Sequence, residues 1–296
     1  METLNGGHSA YIPDSIAVLC GAGIYPRLVV EGARAAGVKR VDVAAVRGSA
    51  DWATKRAADS FFKFGLGEFH SGMKFIAGRG YDGVVLAGQI NPLALFATTF
   101  DSVTLGWIKS LRVKNAHSIF GKVVEEFGKL GVKVFPASSF MDGHLPGEGL
   151  LTLRPLTPEE ESDISYASAV VRDIGRHDIG QTVMVKEGMV LAVEAFEGTN
   201  AAIKRGGKLG GRGAIVFKGA REGHDMRFDI PVAGLKTLDA MRKAGASALA
   251  FQAGRLVLLE REKFIERANK FGIAVVGVKT DLPPAPLRPL IGELAK

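Results

Sequence analysis

Residues 15–26 read SIAVLCGAGIYP, and this stretch decides the fold of the first half of the chain. The apolar run up to Cys20 is typical of a strand buried on both faces, and it ends in a glycine turn at Gly21 and Gly23. The helical pattern PRLVVEGARAAG begins directly after it. A buried strand that passes through a glycine turn into a helix indicates a parallel sheet covered by helices.

The same alternation continues to about residue 141. Strand patterns and helix patterns take turns in the segments RVDVAAVRG (40–48), FFKFGLGE (61–68), FHSGMKFIAGRG (69–80), YDGVVLAGQI (81–90), AHSIFGKVVEEFGKLG (116–131) and VKVFPASSFM (132–141). In parallel sheets, ligands bind beyond the carboxyl ends of the strands. This rule predicts substrate-binding residues in GAGIYP and GQINP, namely Gly21, Gly23, Ile24, Gly88, Gln89 and Asn91. GAGIYP is not a complete dinucleotide fingerprint, so the residues alone leave a plain tight turn open.

A helix start marks the joint between two predicted domains. Thr157 is a good N-cap, Pro158 suits the first helical position, and Glu160 completes a capping box. We therefore predict domains at residues 1–156 and 157–296. The second half mixes hairpin and crossover signals, with a hairpin expected at Lys186–Gly188 and a helix capped by Thr199 or Asn200. The predicted fold is α/β, a parallel-sheet domain followed by a second α/β domain.

Composition restricts the class of protein. The chain has 296 residues, of which 47% are hydrophobic, and it contains no apolar run of the ~18 residues that a membrane span needs. The lone Cys20 lies in a strand pattern and cannot form an internal disulfide. The net charge is +7, and residues 204–227 hold seven basic against two acidic residues. Acidic residues within such a cluster favour a compact anion such as phosphate over nucleic acid, although a solvated basic loop stays open.

Three polar clusters in the second half fall at the ends of predicted strands. They are DIGQ (178–181), EAFEGTN (194–200) and GHDMRFD (223–229). Read as a strand, the last would place Asp225, Arg227 and Asp229 on one face and Met226, Phe228 and Ile230 on the other. Carboxylates beside a basic loop suit Mg²⁺ or Mn²⁺ phosphoryl chemistry, and a salt-bridged surface strand is the alternative. Glu194 and Glu197 would reach one site only through a bulge or a strand end.

The residues above resemble the LpxI-type UDP-2,3-diacylglucosamine pyrophosphatase family of bacterial lipid A biosynthesis. The resemblance covers residues 14–280 and is carried by GAGIYP, GQINP, DIGQTVMVKEGMVLAVEAFEGTNAAIKR (178–205) and GHDMRFDIPVAGLKT (223–237). It implies a Rossmann-like, nucleotide-binding first domain and a second α/β domain particular to the family. It also implies hydrolysis of the substrate to UMP and 2,3-diacylglucosamine 1-phosphate with Mg²⁺ or Mn²⁺ as the cofactor.

The resemblance also assigns roles to residues. The family's acidic positions fall on Asp178, Glu194, Glu197, Asp225 and Asp229, and the last four of these are the predicted metal ligands. The predicted catalytic residues are Asp225, Arg227 and Lys218. Further substrate-binding residues are Gln181, Thr199, Asn200 and Arg205. Relatives tend to have Asp where this chain has Asn200, and the lost charge makes that position a helix cap or a substrate contact rather than a metal ligand.

The implied substrate is a UDP-linked diacylated glucosamine, which lives in a bilayer. We therefore expect a cytoplasmic protein in transient contact with the inner membrane surface and without a nucleic-acid partner. A monomer and a homo-oligomer both stay open. Two other functions are open as well, another nucleotide-sugar enzyme and a non-enzymatic nucleotide sensor.

Overall fold

The structure is a computed structural model and describes residues 11–90, 98–113, 116–220, 225–279 and 281. The chain forms two compact units. Of the described residues, the first unit contains those up to Asp142 together with Met226–Asp229, and the second contains Gly143–Asp225 and those from Ile230 onward. A boundary between independently folding domains at residues 156 and 157 stays a prediction.

The first unit is built on a five-stranded sheet. In chain order its strands are β1 (Ser15–Cys20), β2 (Arg40–Val46), β3 (Phe61–Phe64), β4 (Gly83–Ala87) and β5 (Val134–Phe135). Neighbouring strands all run parallel, in the order β3-β2-β1-β4-β5. This order is that of Rossmann-like sheets and confirms the predicted parallel α/β class.

Helices cover both faces of this sheet. They are α1 (Tyr25–Ala35), α2 (Trp52–Ala57), α3 (Phe69–Ala77), α4 (Ser102–Ser110) and α5 (Ala116–Lys129), with short 3₁₀ turns at Leu66–Glu68 and Asp142–His144. Val29 and Val30 of α1 are fully buried, and so are Met73 of α3 and Phe127 of α5. Because both faces are covered, β1 is apolar along nearly its whole length, as its sequence predicted.

The second unit contains a six-stranded mixed sheet and a two-stranded parallel pair. Its strands are β6 (Gly149–Leu150), β7 (Thr182–Lys186), β8 (Met189–Val193), β9 (Ile215–Lys218), β10 (Val232–Ala233), β11 (Ala248–Gln252), β12 (Val257–Leu258) and β13 (Ala274–Val278). The large sheet has the order β6-β13-β11-β9-β7-β8, and β10 pairs with β12. Strands β9, β11 and β13 run parallel, while β6, β7 and β8 pair antiparallel with their neighbours.

Two apolar cores lie on opposite faces of the large sheet. The helices are α6 (Pro158–Arg176), α7 (Thr199–Gly210), α8 (Leu235–Ala244) and α9 (Arg261–Phe271). Ile203 of α7 and Leu238 of α8 pack with Val216 on one face. Ile164 of α6 packs with Phe217 on the other face. Successive residues of β9 thus serve different cores, which is the two-residue period of a strand.

Local signals in the sequence explain how α6 and the β7–β8 hairpin form. The Thr157 hydroxyl accepts from the Glu160 amide at 3.3 Å, and the Glu160 carboxylate accepts from the Thr157 amide at 3.0 Å, which confirms the predicted capping box. The hairpin turns at Glu187 and Gly188, whose φ angles are 51° and 72°. Positive φ at both central residues matches the tight turn that joins antiparallel strands. The Asp163 carboxylate accepts from both turn amides, at 2.8 and 2.7 Å.

Three local predictions were wrong. Residues 225–230 form a turn rather than a strand, so the two-face pattern of Asp225 and Asp229 does not apply there. The strand predicted over residues 132–141 is reduced to β5, and its end passes into Phe140, which has a φ of 66°. Gly198, not Thr199 or Asn200, caps α7, and Thr199 is its first residue. Among the helices that the described residues form, none combines the length and apolarity needed to cross a bilayer.

Candidate functional site

Two loops at the carboxyl ends of β1 and β4 join each other in the first unit. The amide of Ala22 donates to the carbonyl oxygen of Gln89 at 2.7 Å, and the amide of Gln89 donates back to Ala22 at 2.9 Å. The amide of Gly21 donates to the carbonyl oxygen of Ala87 at 2.8 Å. The structure thus brings the predicted Gly21, Gly88 and Gln89 together at the strand ends, where parallel sheets bind ligands.

Glycine is needed in these loops for two different reasons. A Cβ atom on Gly21 would lie 2.6 Å from the carbonyl oxygen of Gln89, so only glycine allows this approach. Gly88 has a φ of 95°, and its Cβ would lie 2.8 Å from the carbonyl carbon of Gly21. Gly23 has a φ of 99°, but a Cβ atom added to it would meet no atom within 4 Å. Gly23 is therefore required for its backbone conformation and borders open space.

A cleft of about 550 Å³ opens beside the two loops. Its walls are mostly apolar and come from Leu19, Cys20, Gly21, Ala22, Val46, Leu86, Ala87, Gly88, Gln89, Ile90, Phe120 and Phe228. The rings of Phe120 and Phe228 are stacked, with centroids 6.0 Å apart and an interplanar angle of 23°. Apolar side chains of this kind suit a flat organic ring. Ile24 is the N-cap of α1 and is not on the cleft wall, and the predicted Asn91 lies outside the described residues.

Cys20 is the thiol on the cleft wall, and its environment makes it unreactive. Its side chain is 1% exposed, and its thiol donates to the carbonyl oxygen of Gly21 at 3.1 Å. Burial raises the pKa of Cys20 to about 12. Because the thiolate is the nucleophilic form, Cys20 is a packing residue here.

The turn at residues 225–229 carries Phe228 to the first unit. The carbonyl oxygen of Met226 accepts from the amide of Ala137 at 2.7 Å, and the Phe228 ring packs against His117 at a centroid distance of 5.2 Å. Asp229 Oδ2 lies 3.5 Å from His117 Nδ1. Met226–Asp229 belongs to the first unit and Asp225 to the second, so the two aspartates that sequence reasoning grouped are divided between the units. Arg227 is exposed at the tip of the turn.

In the second unit, three polar residues lie side by side across three strands. Thr182 of β7 is directly opposite Lys218 of β9 in the antiparallel register. Glu194 follows β8 and donates its amide to the carbonyl oxygen of Thr182 at 2.8 Å, which extends the Val183–Val193 pairing by one residue. Opposite residues of antiparallel strands share a face. Thr182, Glu194 and Lys218 therefore form a row on the face that α7 covers, and we call these three residues the polar row.

A hydrogen-bond chain closes over the polar row. The ammonium group of Lys218, which is 6% exposed, donates to Thr199 Oγ1 at 2.8 Å. The Thr199 hydroxyl then donates to Glu194 Oε1 at 2.8 Å. Thr199 is the first residue of α7, so this chain ties the start of the helix to two strands. The structure thus unites three predicted site residues, Glu194, Thr199 and Lys218.

Two oxygen atoms of the polar row are buried without a hydrogen-bond partner. They are Glu194 Oε2 and Thr182 Oγ1. Thr182 is 1% exposed, so its hydroxyl has no access to bulk water. Buried polar atoms are nearly always paired, and exceptions point to function or to a bound water or ion.

Glu197 is engaged differently from Glu194. Its Oε1 accepts from the Arg205 guanidinium at 2.6 Å, and the same guanidinium nitrogen donates to the carbonyl oxygen of Val193 at 2.8 Å. The hydrogen bond from Arg205 lowers the pKa of Glu197 below its ordinary value. The chain leaves β8 at Val193 and turns through residues 194–198, so both carboxylates lie beyond the end of the strand.

The remaining predicted residues lie around the polar row or on the surface. The carbonyl oxygen of Gln181 accepts from the amide of Gly219 at 3.0 Å, which places Gln181 beside the end of β9. A Cβ on the neighbouring Gly180 would overlap the carbonyl oxygen of Glu194, so only glycine fits there. Asn200 is exposed on the first turn of α7, and Asp178 is exposed with a φ of 54°.

The part of the chain that the structure describes contains no group of three or more His, Cys, Asp or Glu side chains that could hold a metal ion. Glu194 fits a metal as a single oxygen ligand, because its Oε2 atom is buried and without a partner. Glu197 fits less well, since Arg205 neutralises its carboxylate. Small hard cations such as Mg²⁺ are commonly held by only one or two carboxylates together with substrate phosphates.

Sequence reasoning missed three buried polar residues at the strand ends of the second unit. Thr182, Gln252 and Arg255 are 1%, 7% and 5% exposed. The Gln252 side-chain oxygen accepts from the amide of Ala220 at 2.8 Å and so shapes the chain after β9. A polar residue at the first or last position of an apolar strand was the available signal, and it applies to Thr182 and Gln252.

These features define the class of protein as a two-unit α/β protein with a cleft at the strand ends of its first unit and a buried polar row in its second. Sequence comparison identifies the family. The LpxI N-terminal domain matches residues 15–144, and the LpxI C-terminal domain matches residues 147–276. The chain belongs to the LpxI family, which confirms the resemblance. It is 32% identical over 274 residues to the UDP-2,3-diacylglucosamine pyrophosphatase LpxI of Caulobacter vibrioides, which covers 89% of this chain and 97% of that protein.

Proposed function

We propose that the protein hydrolyses the pyrophosphate bond of UDP-2,3-diacylglucosamine. The products would be UMP and 2,3-diacylglucosamine 1-phosphate, and Mg²⁺ or Mn²⁺ would be required. One observation carries the proposal: the similarity to a UDP-2,3-diacylglucosamine pyrophosphatase spans both units and 97% of that relative's length. A match of this extent favours the same reaction over a shared fold alone.

The cleft of the first unit would hold the uridine nucleotide. The fused loops of Gly21 and Gly88 leave no side chain between the backbone and a ligand, and Gly23 borders open space. The apolar walls offer a dry surface for the base. Gln89, at the junction of the two loops, would contact the nucleotide through its amide side chain.

The second unit would bind the phosphates. Lys218 is held at the start of α7 by its bond to Thr199, and the first amides of a helix attract anions. A positive group fixed in a buried place stabilises the negative charge that develops when a phosphoric anhydride bond breaks. Gln181 and Asn200 would contact the substrate from the adjoining loop and helix. Arg227, which is exposed and belongs to the first unit, stays a predicted source of positive charge.

A bound Mg²⁺ or Mn²⁺ ion would neutralise the pyrophosphate oxygens and polarise the attacked phosphorus. Of this chain's residues, Glu194 would hold it through Oε2, and Asp225 and Glu197 are further carboxylates of the second unit proposed for this role. Asp229, which belongs to the first unit, stays a ligand predicted from the sequence. Glu197 would have to release Arg205 in order to bind the ion. Arg205 would then be available to the substrate.

Asp225 would orient and deprotonate the attacking water. It is half-buried and lies within the basic cluster of residues 204–227. The water would form the new bond to phosphorus, its proton would pass to the Asp225 carboxylate, and the anhydride oxygen would leave with its electron pair. A diacylated substrate resides in a bilayer, so the enzyme would meet it at the cytoplasmic surface of the inner membrane.

The test is metal-dependent release of UMP by Asp225→Asn, with Asp239→Asn as a matched control. Asp239 is an aspartate of α8 that is ion-paired with Arg267 at 2.9 Å and has no proposed role in the reaction. We expect Asp225→Asn to lower turnover about a hundredfold, the range for losing a general base, and Asp239→Asn to leave it unchanged. Normal turnover in a folded Asp225→Asn protein would refute the assignment. Consumption of NAD(P), or nucleotide binding without turnover, would favour a dehydrogenase or a sensor.

A further inference from the structure

We propose that Thr182 is a further metal ligand in this chain. Its hydroxyl oxygen and Glu194 Oε2 together form the protein side of a site for Mg²⁺ or Mn²⁺. The inference rests on the metal requirement in the proposed function and adds a residue that neither the motifs nor the family resemblance assigned.

The sheet register makes Thr182 and Glu194 neighbours. Thr182 is opposite Lys218 on one side and next to Glu194 on the other, through the 2.8 Å hydrogen bond from the Glu194 amide. In antiparallel pairs, the Cβ atoms of opposite residues are about 5 Å apart. The side chains of Thr182 and Glu194 therefore occupy neighbouring positions on the face that α7 covers.

Thr182 Oγ1 and Glu194 Oε2 both lack a hydrogen-bond partner, and a bound ligand would supply one. Glu194 is fixed through Oε1 by Thr199 at 2.8 Å, which leaves Oε2 as its only unsatisfied oxygen. Thr182 Oγ1 is unsatisfied as well, in a side chain that is 1% exposed. An unpaired buried hydroxyl and an unpaired buried carboxylate oxygen each lower the stability of the fold. Two such atoms at neighbouring positions therefore indicate a binding role rather than a stabilising one.

The chemistry of the two atoms favours a hard cation. Carboxylate and hydroxyl oxygens are ligands that Mg²⁺ and Mn²⁺ prefer, and a threonine or serine hydroxyl beside a phosphate-binding lysine is a recurrent magnesium arrangement. Lys218 is linked to Glu194 through the Thr199 hydroxyl. The charge of a divalent cation would then be balanced by the diphosphate group of the substrate, which couples metal binding to substrate binding.

Thr182→Val removes the hydroxyl with little change in shape, and Thr182→Ser keeps the hydroxyl. Binding of Mn²⁺ alone, titrated into the full chain and followed by electron paramagnetic resonance, should weaken about tenfold or more in Thr182→Val. It should change less than about threefold in Thr182→Ser. The melting temperature of metal-free Thr182→Val should rise above that of the unchanged protein, because an unsatisfied hydroxyl has been removed.

Thr152→Val is the matched control. Thr152 is 7% exposed, but its hydroxyl accepts from the amide of Val275 at 2.9 Å. This variant should melt at a lower temperature and bind Mn²⁺ normally. We therefore expect the two valine variants to shift the melting temperature in opposite directions, and only Thr182→Val to weaken Mn²⁺ binding.

Three results would overturn the inference. The first is an unchanged Mn²⁺ affinity in Thr182→Val, and the second is no Mn²⁺ binding by the unchanged protein at millimolar concentrations. The third is a Thr182→Val protein that binds Mn²⁺ normally and loses only affinity for the substrate. The last result would assign the two oxygens to a neutral hydroxyl or amide of the substrate. Loss of Mn²⁺ binding in Thr182→Val, in a protein that releases no UMP from the lipid substrate, would support the site while refuting the proposed reaction.

Discussion

Replacing Thr199 by valine tests whether the hydrogen-bond chain over the polar row holds the site together. The hydroxyl of Thr199 accepts from Lys218 and donates to Glu194, both at 2.8 Å. Valine has nearly the same shape but can form neither bond. Glu194 would then lose the one hydrogen-bond partner of its carboxylate, since Oε2 is already unpartnered.

The magnitude follows from the two lost bonds. A hydrogen bond to a charged group contributes about 1.5–3 kcal/mol, and partial exposure of Thr199 and Glu194 reduces the effect of the pair to about 2–4 kcal/mol. For a chain of 296 residues, such a loss lowers the melting temperature by roughly 3–6 °C. Turnover should fall as well, because the Lys218 ammonium and the Glu194 carboxylate lose their fixed positions.

Calorimetry and an assay of UMP release would measure both effects, with Thr199→Ser as the control. Serine keeps the hydroxyl, so it should retain most of the stability and the turnover. If Thr199→Val melted within a degree or two of the unchanged protein and turned over normally, the hydrogen-bond chain would have no role in either stability or catalysis.

Two further predictions concern the first unit's loops and the start of α6. Gly21→Ala should separate the two glycine loops, because its Cβ would lie 2.6 Å from the carbonyl oxygen of Gln89. We expect the free energy of unfolding to fall by about 1–3 kcal/mol. Calorimetry should also show weaker binding of UMP. Burial acts to raise the pKa of Glu160, but hydrogen bonds with Arg154, Ser247 and Thr157 together hold that pKa below its ordinary value. A lowered folded-state pKa stabilises the protein above the unfolded-state pKa, and this stabilisation is lost as the pH falls. Denaturant unfolding should therefore show Glu160→Gln to be less stable at pH 7, with the difference shrinking as the pH drops below about 4.

The elements that the sequence predicted well are those fixed by local chemistry. The capping box of Thr157 and Glu160 needs only residues three apart, and the turn at Glu187 and Gly188 needs only two positive φ angles. The glycine loop after β1 was predictable for a similar reason, since a buried strand that ends in glycine has few conformations available. None of these features depends on a distant part of the chain.

Long-range contacts explain what the sequence did not predict. The alternation of charged and apolar residues at 225–230 matches a strand, but Met226 and Phe228 contact Ala137 and Phe120, about ninety and a hundred residues away, and the segment turns in order to do so. Thr182 looks like an ordinary strand residue until the register sets it between Glu194 and Lys218. A one-residue shift would place it on the opposite face, and the sequence does not fix register that finely.

The most direct test of the proposed reaction is to incubate the purified chain with UDP-2,3-diacylglucosamine, with Mg²⁺ or with a chelator, and to identify the products by mass spectrometry. We expect UMP and 2,3-diacylglucosamine 1-phosphate in equal amounts with Mg²⁺, and almost none of either product with the chelator. Absence of UMP from a folded protein supplied with Mg²⁺ would contradict the reaction, and equal release with the chelator would contradict its dependence on metal.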